Sequence, residues 1–78
     1  MYLVDCKRMS ITDLSKCIKI EKAKIHGKGN TISYVLKAKE QNQTLDFVIY
    51  ESESEETRNK TFSMICDGLV KGKRILYL

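Results

Sequence analysis

The chain has 78 residues, which is enough for one domain spanning residues 1–78 and no more. It is 42% hydrophobic and 31% charged and carries a net charge of +4, a composition that excludes an intrinsically disordered protein. No run approaches the roughly 18 apolar residues of a membrane span. The first residues lack the pattern of a secretion signal. We therefore expect a cytoplasmic protein with no membrane partner.

Segments with alternating apolar and polar residues occupy the first two thirds of the chain and predict strands. Residues 2–6 form a short first segment, and longer ones follow at 16–25, 31–39 and 44–50. Glycine-rich residues 26–30 and polar residues 40–43 mark the turns between the longer segments. The apolar positions of segment 16–25 change face near Lys22, which predicts a β-bulge there. The three longer segments read as an antiparallel meander with one buried face.

The periodicity then changes to that of a helix. Four residues fall at i, i+3, i+4 and i+7 and predict one apolar stripe: Phe62, Ile65, Cys66 and Leu69. Ser52 and Glu55 match a capping box at the start of this helix, and Gly72 is a plausible stop. Gly68 lies in the last turn, where it predicts either an earlier end or a close approach to the sheet. Residues 75–78 read as a short final strand.

These elements predict an α+β fold in the order β-β-β-β-α-β. An antiparallel meander of about four to five strands carries one helix packed on one face, and the final strand pairs at an edge beside the first. The helix is expected to cover a face made by Ile18, Ile20, Tyr34, Leu36, Phe47 and Ile49.

The stretch Tyr50-Glu-Ser-Glu-Ser-Glu-Glu56 opens the predicted helix after the meander, and a lysine-rich turn and an apolar strand follow it. Over residues 11–78 this arrangement resembles short uncharacterised proteins of low-GC Gram-positive bacteria and their phages. The resemblance implies a bacterial or phage origin and carries no activity with it. Phage proteins of this size often modulate a host factor or a defence system, so a regulatory role is the implied expectation.

No catalytic or metal-binding motif is recognisable. Gly27 to Asn30 lies between two predicted strands, whereas a phosphate-binding loop joins a strand to a helix. His26 has no identifiable catalytic partner, and the acidic run from Glu51 to Glu56 lacks calcium-loop spacing. Three unpaired cysteines suit neither a disulfide framework nor a zinc site, and reduced thiols are expected at Cys6, Cys17 and Cys66. We predict a protein that is not an enzyme and uses no cofactor or metal.

Lysines are concentrated in the meander. Seven lysines and one acid occur between residues 14 and 39. One interpretation is a nucleic-acid-binding sheet face that contacts phosphates. The other is a solvated face whose lysines prevent edge-to-edge pairing. The absence of arginine and of an aromatic platform favours the second. The alternative nucleic-acid site comprises Lys19, Lys22, Lys24, Lys37 and Lys39, with Lys28 at the hairpin tip.

The second face of the meander is the preferred candidate surface. One helix cannot cover both faces of a sheet, and Val35, Val48 and Tyr50 are predicted to lie on the face left open. These residues predict an interface with a protein partner or a second copy, a homodimer being one form. Scattered, wetted apolar residues are the competing interpretation. Strand addition at an edge and a small ligand between two subunits remain open.

Overall fold

The computed structural model describes residues 1–78 and contains six strands and one helix. Short 3₁₀ turns occupy residues 14–16 and 28–30. In chain order the elements are β1 (Tyr2–Asp5), β2 (Ser10–Asp13), β3 (Cys17–His26), β4 (Ile32–Glu40), β5 (Phe47–Ser52), α1 (Glu55–Val70) and β6 (Ile75–Tyr77).

The strands form two three-stranded sheets. Strands β3, β4 and β5 make the predicted antiparallel meander, which we call the meander sheet. The other sheet, which we call the terminal sheet, has the order β2-β1-β6; β1 is antiparallel to β2 and parallel to β6. The α+β class and the pairing of the final strand with the first are confirmed. The prediction of one sheet is wrong, because β1, β2 and β6 form a sheet of their own. The prediction of four strands before the helix is also wrong, because β2 is a fifth strand.

Strand β2 follows a tight turn that a local side-chain contact stabilises. The carboxylate of Asp5 accepts hydrogen bonds from the backbone N–H groups of Lys7 and Arg8, both at 3.1 Å. This contact accounts for an aspartate that is only 4% exposed at the end of β1. The chain then reverses, and Ser10 pairs with Asp5.

Both sheets and the helix contribute to one small core. The terminal sheet supplies Leu3 and Leu76, and the helix supplies Ile65. The other members of the cluster are Leu14, Leu36, Ala38 and Ile49. Only 12 of 78 residues are buried, so many large apolar side chains remain on the surface.

The helix begins two residues later than the predicted capping box. Ser54, not Ser52, is the N-cap, and its hydroxyl accepts a hydrogen bond from the N–H of Thr57 at 3.2 Å. The predicted stop is confirmed, because Gly72 has φ +70° just after the last helical turn.

The buried face of the helix differs from the predicted stripe. Its buried residues are Arg58, Thr61, Ile65 and Gly68, whereas Cys66 is exposed and Leu69 is 49% exposed. Gly68 does make a close approach, but to the side chain of Met1 before β1 and not to the sheet itself, since a Cβ there would lie 3.2 Å from the sulfur of Met1. The helix is therefore rotated about its own axis relative to the prediction, so that Cys66 and Leu69 of the predicted apolar stripe face outward.

Two irregularities set which side chains share a face of the meander sheet. The register between β3 and β4 shifts between Cys17 and Lys19, so the bulge lies at Ile18 and not near Lys22. The register between β4 and β5 shifts where Leu36 pairs with Tyr50 and Lys37 pairs with Val48. Ile49 is the extra residue of that second bulge.

Candidate protein-binding surfaces

The outer face of the terminal sheet is apolar. Tyr2 lies between Asp13 and Ile75 in the pairing of the three strands, and Val4 lies between Ile11 and Tyr77. Paired residues share a face, and alternate residues of β1, Leu3 and Asp5, point to the buried side. We call the outward set the terminal face: Tyr2, Val4, Ile11, Ile75 and Tyr77.

The terminal face is exposed and nearly free of charge. Tyr2, Ile11, Ile75 and Tyr77 are 50%, 72%, 47% and 66% exposed. The one charged neighbour in the pairing is Asp13, at a corner, and its carboxylate accepts hydrogen bonds from the N–H (3.0 Å) and hydroxyl (2.7 Å) of Ser15. These two bonds hold the pKa of Asp13 below its ordinary value. An uncharged sheet face of this kind is typical of a surface that contacts another protein.

A second apolar surface is a groove between β3 and the C-terminal half of α1. Eight of its nine lining residues are hydrophobic, and its volume is about 320 Å³. One wall comes from the helix stripe that the sequence placed in the core, Phe62, Ile65, Cys66 and Leu69. The other comes from the start of β3 and the turn before it: Leu14, Cys17, Ile18, Lys19 and Ile20. We call this site the β3–α1 groove.

Arg58 ties the helix to the strands beyond this groove. It is 5% exposed, and its Nη1 donates to the carbonyl oxygens of Ala23 at 2.8 Å and Val35 at 3.4 Å. Its guanidinium carbon lies 5.5 Å from the centroid of the Tyr34 ring. The nearest acid, Glu55, is 3.9 Å away and half exposed. The two backbone carbonyls and the side-chain oxygen of Asn59, which accepts from Nε at 2.8 Å, are the closer partners of this buried charge.

The three residues predicted to form the partner interface do not share an exposed face. Val35 is completely buried. Val48 pairs with Lys37 and Tyr50 pairs with Leu36, and these neighbours on β4 point to opposite faces. Tyr50 packs against the core. The expectation of one open patch was wrong because the bulge at Ile49 reverses the alternation along β5.

The lysines predicted to share one face are also divided. Lys19 pairs with Lys39, and Lys37 pairs with Glu21, so these three lysines lie on the face away from the helix. Lys22 and Lys24 lie on the other face. Their Nζ atoms are 5.1 Å from the centroid of Phe62 and 5.7 Å from that of Tyr34, respectively. Lys28 is exposed in the turn after β3.

The remaining candidates stay separate from one another. His26 is exposed at the end of β3, and the acidic run lies at the end of β5 and the start of α1. The three cysteines are free, and burial raises the pKa of the Cys17 thiol. No group of three or more His, Cys, Asp or Glu side chains is arranged to hold a metal ion. The one helix is too short and too polar to cross a membrane.

Sequence reasoning missed both apolar surfaces. One sequence signal pointed to the terminal face: the first and final segments, Tyr2-Leu-Val4 and Ile75-Leu-Tyr77, are apolar on both faces of the strand. This signal was not enough to define the surface, because Ile11 belongs to β2, a strand that the sequence did not predict. Comparisons with protein-family models, curated proteins and solved structures found no match.

Proposed function

We propose that this protein is a small non-enzymatic interaction protein that acts by protein–protein contact through the terminal face. The observation that carries the proposal is the exposure of Tyr2, Ile11, Ile75 and Tyr77 together on one three-stranded sheet. Tyrosine is enriched at the centres of interfaces, and an apolar patch on a small domain marks a contact surface.

The partner that this face fits is a second copy of the chain. A face whose centre has no charge can pack on its own copy about a two-fold axis without unpaired buried charge. Taking about 200 Å² for each fully exposed side chain, the four exposed fractions amount to roughly 450 Å² per copy. The total of roughly 900 Å² is below the range of stable complexes, so the dimer is expected to be weak and concentration-dependent.

The test is the molar mass in solution over a wide range of concentration, measured by sedimentation and by light scattering. The wild-type mass is expected to rise from 9.0 kDa toward twice that value. Ile11→Lys places a charge on the terminal face and is expected to abolish the rise. Leu45→Lys is the matched control, because Leu45 is 79% exposed in the loop before β5. A wild type that stays monomeric, or an Ile11→Lys variant that still dimerises, would contradict the proposal.

Nucleic-acid binding is the second candidate function, and its candidate site is reduced from six lysines to three. Lys19 and Lys39 are opposed across β3 and β4, with Lys37 on the same face. Like charges directly opposite each other are destabilising, and a bound phosphate backbone would relieve the repulsion. Glu21 disfavours phosphate binding at this face, since its carboxylate already lies 3.4 Å from the Nζ atom of Lys19. Binding to single- or double-stranded DNA or RNA that weakens steeply with salt, and that Lys37→Gln and Lys39→Gln weaken, would support this alternative.

The regulatory role, the cytoplasmic location and the bacterial or phage origin remain predictions. A homodimer presents two copies of every other surface, which suits a protein that regulates a partner by occupying its surface.

A further inference from the structure

We propose that the β3–α1 groove binds an extended peptide of a partner protein, which pairs as an added strand with the free edge of β3. In this peptide, apolar residues alternate with acidic residues. This site is separate from the terminal face and does not depend on self-association.

The first observation is the helix wall of the groove. Phe62, Cys66 and Leu69 are one helical stripe, yet Cys66 is exposed and Leu69 is 49% exposed. Opposite them, Ile18 is 63% exposed at the bulge of β3. Apolar side chains from a strand and a helix thus face one cleft that the chain leaves uncovered. The volume of about 320 Å³ accommodates a few side chains and not a folded domain.

The second observation is the edge that borders the groove. Strand β3 is the longest strand, ten residues, and it is the outer strand of the meander sheet, with β4 on one side only. Its outer backbone N–H and C=O groups therefore have no strand partner. A peptide laid along this edge gains main-chain hydrogen bonds, while alternate side chains enter the groove. This geometry favours an extended occupant over a helix.

The third observation is charge. Lys19 contributes to the groove lining, but its side chain lies on the face away from the helix, where the residues between the apolar ones of an added strand also point. On the helix side, the Nζ atom of Lys22 is 5.1 Å from the ring centroid of Phe62. Strand β3 carries three lysines and one glutamate, and that glutamate, Glu21, is already 3.4 Å from Lys19. Strand β3 therefore carries an excess of positive charge, and acidic residues between the apolar residues of the peptide would complement that charge.

The probes are labelled synthetic peptides in which leucine and valine alternate with glutamate, and a second series in which lysine replaces glutamate. Fluorescence anisotropy with the full chain is expected to show binding of the glutamate series about tenfold tighter, or more, than the lysine series. Hydrogen exchange is expected to slow at amides of β3. Leu69→Glu is expected to remove binding, whereas Val70→Glu, the adjacent residue at 87% exposure and outside the groove, leaves it unchanged.

Two results would overturn the inference. One is no binding of either peptide series, and binding of dodecanoate in that case would assign the groove to a fatty acyl chain. The other is equal affinity of the Leu69→Glu variant and the wild type for the glutamate series. The Ile11→Lys variant separates the two proposals. It is expected to remain monomeric and still bind the glutamate series, so failure at one surface does not imply failure at the other.

Discussion

Removing the guanidinium of Arg58 tests how the helix is attached to the meander sheet. Two substitutions separate its contributions. Arg58→Met keeps most of the apolar stem and removes the hydrogen bonds to Ala23, Val35 and Asn59. Arg58→Ala removes the stem as well and leaves a cavity between the helix and β3–β4. The difference between the two variants isolates packing from polar contact.

The expected losses follow from the contacts. A hydrogen bond from a charged group contributes about 1.5–3 kcal/mol, and stacking on an aromatic ring adds about 0.5–2 kcal/mol. Both substitutions also remove the desolvation cost of burying the guanidinium charge, and this gain offsets part of the loss in stability. We expect Arg58→Met to lower the free energy of unfolding by about 1.5 kcal/mol and Arg58→Ala by about 3 kcal/mol. A domain of this size has about 4–12 kcal/mol in total, so both changes are measurable without loss of the fold.

The measurement is urea unfolding followed by far-ultraviolet circular dichroism, since the chain has no tryptophan. Lys60→Ala is the control on the same helix, because the Lys60 side chain is 75% exposed and pairs only with Glu56 at 3.3 Å. An exposed pair of this kind contributes about 0.5 kcal/mol or less. An Arg58→Met variant as stable as the wild type, or more stable, would show that desolvation outweighs the contacts and would refute the reasoning.

Three further predictions concern single side chains. Ser54→Ala removes the N-cap acceptor of α1 and is expected to lower the free energy of unfolding by about 1 kcal/mol in the same urea assay, with unchanged circular dichroism in buffer. The lowered pKa of Asp13 means that its carboxylate stabilises the fold above the ordinary value of 3.8 and loses this effect as pH falls through the folded pKa. Asp13→Asn should therefore reduce the fall in urea midpoint between neutral and acidic pH, and an unchanged fall would count against the hydrogen bonds to Ser15. The raised pKa of the Cys17 thiol predicts slower alkylation by iodoacetamide than at Cys66, read by mass spectrometry of the folded protein, and equal rates would contradict it.

Local patterns predicted the meander and the helix because turns and periodicity are properties of adjacent residues. The turn ending at Asn30 and the stop at Gly72 both have positive φ, as their residue types indicate. Strand β2 was missed because four residues carry almost no periodic signal. The sequence also did not predict the second sheet. That sheet depends on the pairing of Tyr2 with Ile75, which are far apart in the chain, and local patterns do not report such pairing.

The candidate surfaces were harder to predict for a different reason. Which face of a strand is exposed depends on bulges, and one extra residue at Ile49 places Val48 and Tyr50 on different faces. The buried face of α1 includes Arg58, a charged residue that pattern reasoning assigns to solvent. Thr61 and Gly68 share this buried face with Arg58, and Leu69 is left in the open groove.

The parallel pairing of β1 with β6 has a consequence for synthesis on the ribosome. Residues 75–77 leave the exit tunnel long after β1, and until then one side of β1 has no neighbour and Leu3 lacks Leu76 beside it. The nascent chain can close its hairpins and begin α1 early, but the terminal sheet is completed only after residues 75–77 have left the tunnel. The surface proposed for self-association is therefore completed after the meander sheet and α1 have been synthesised.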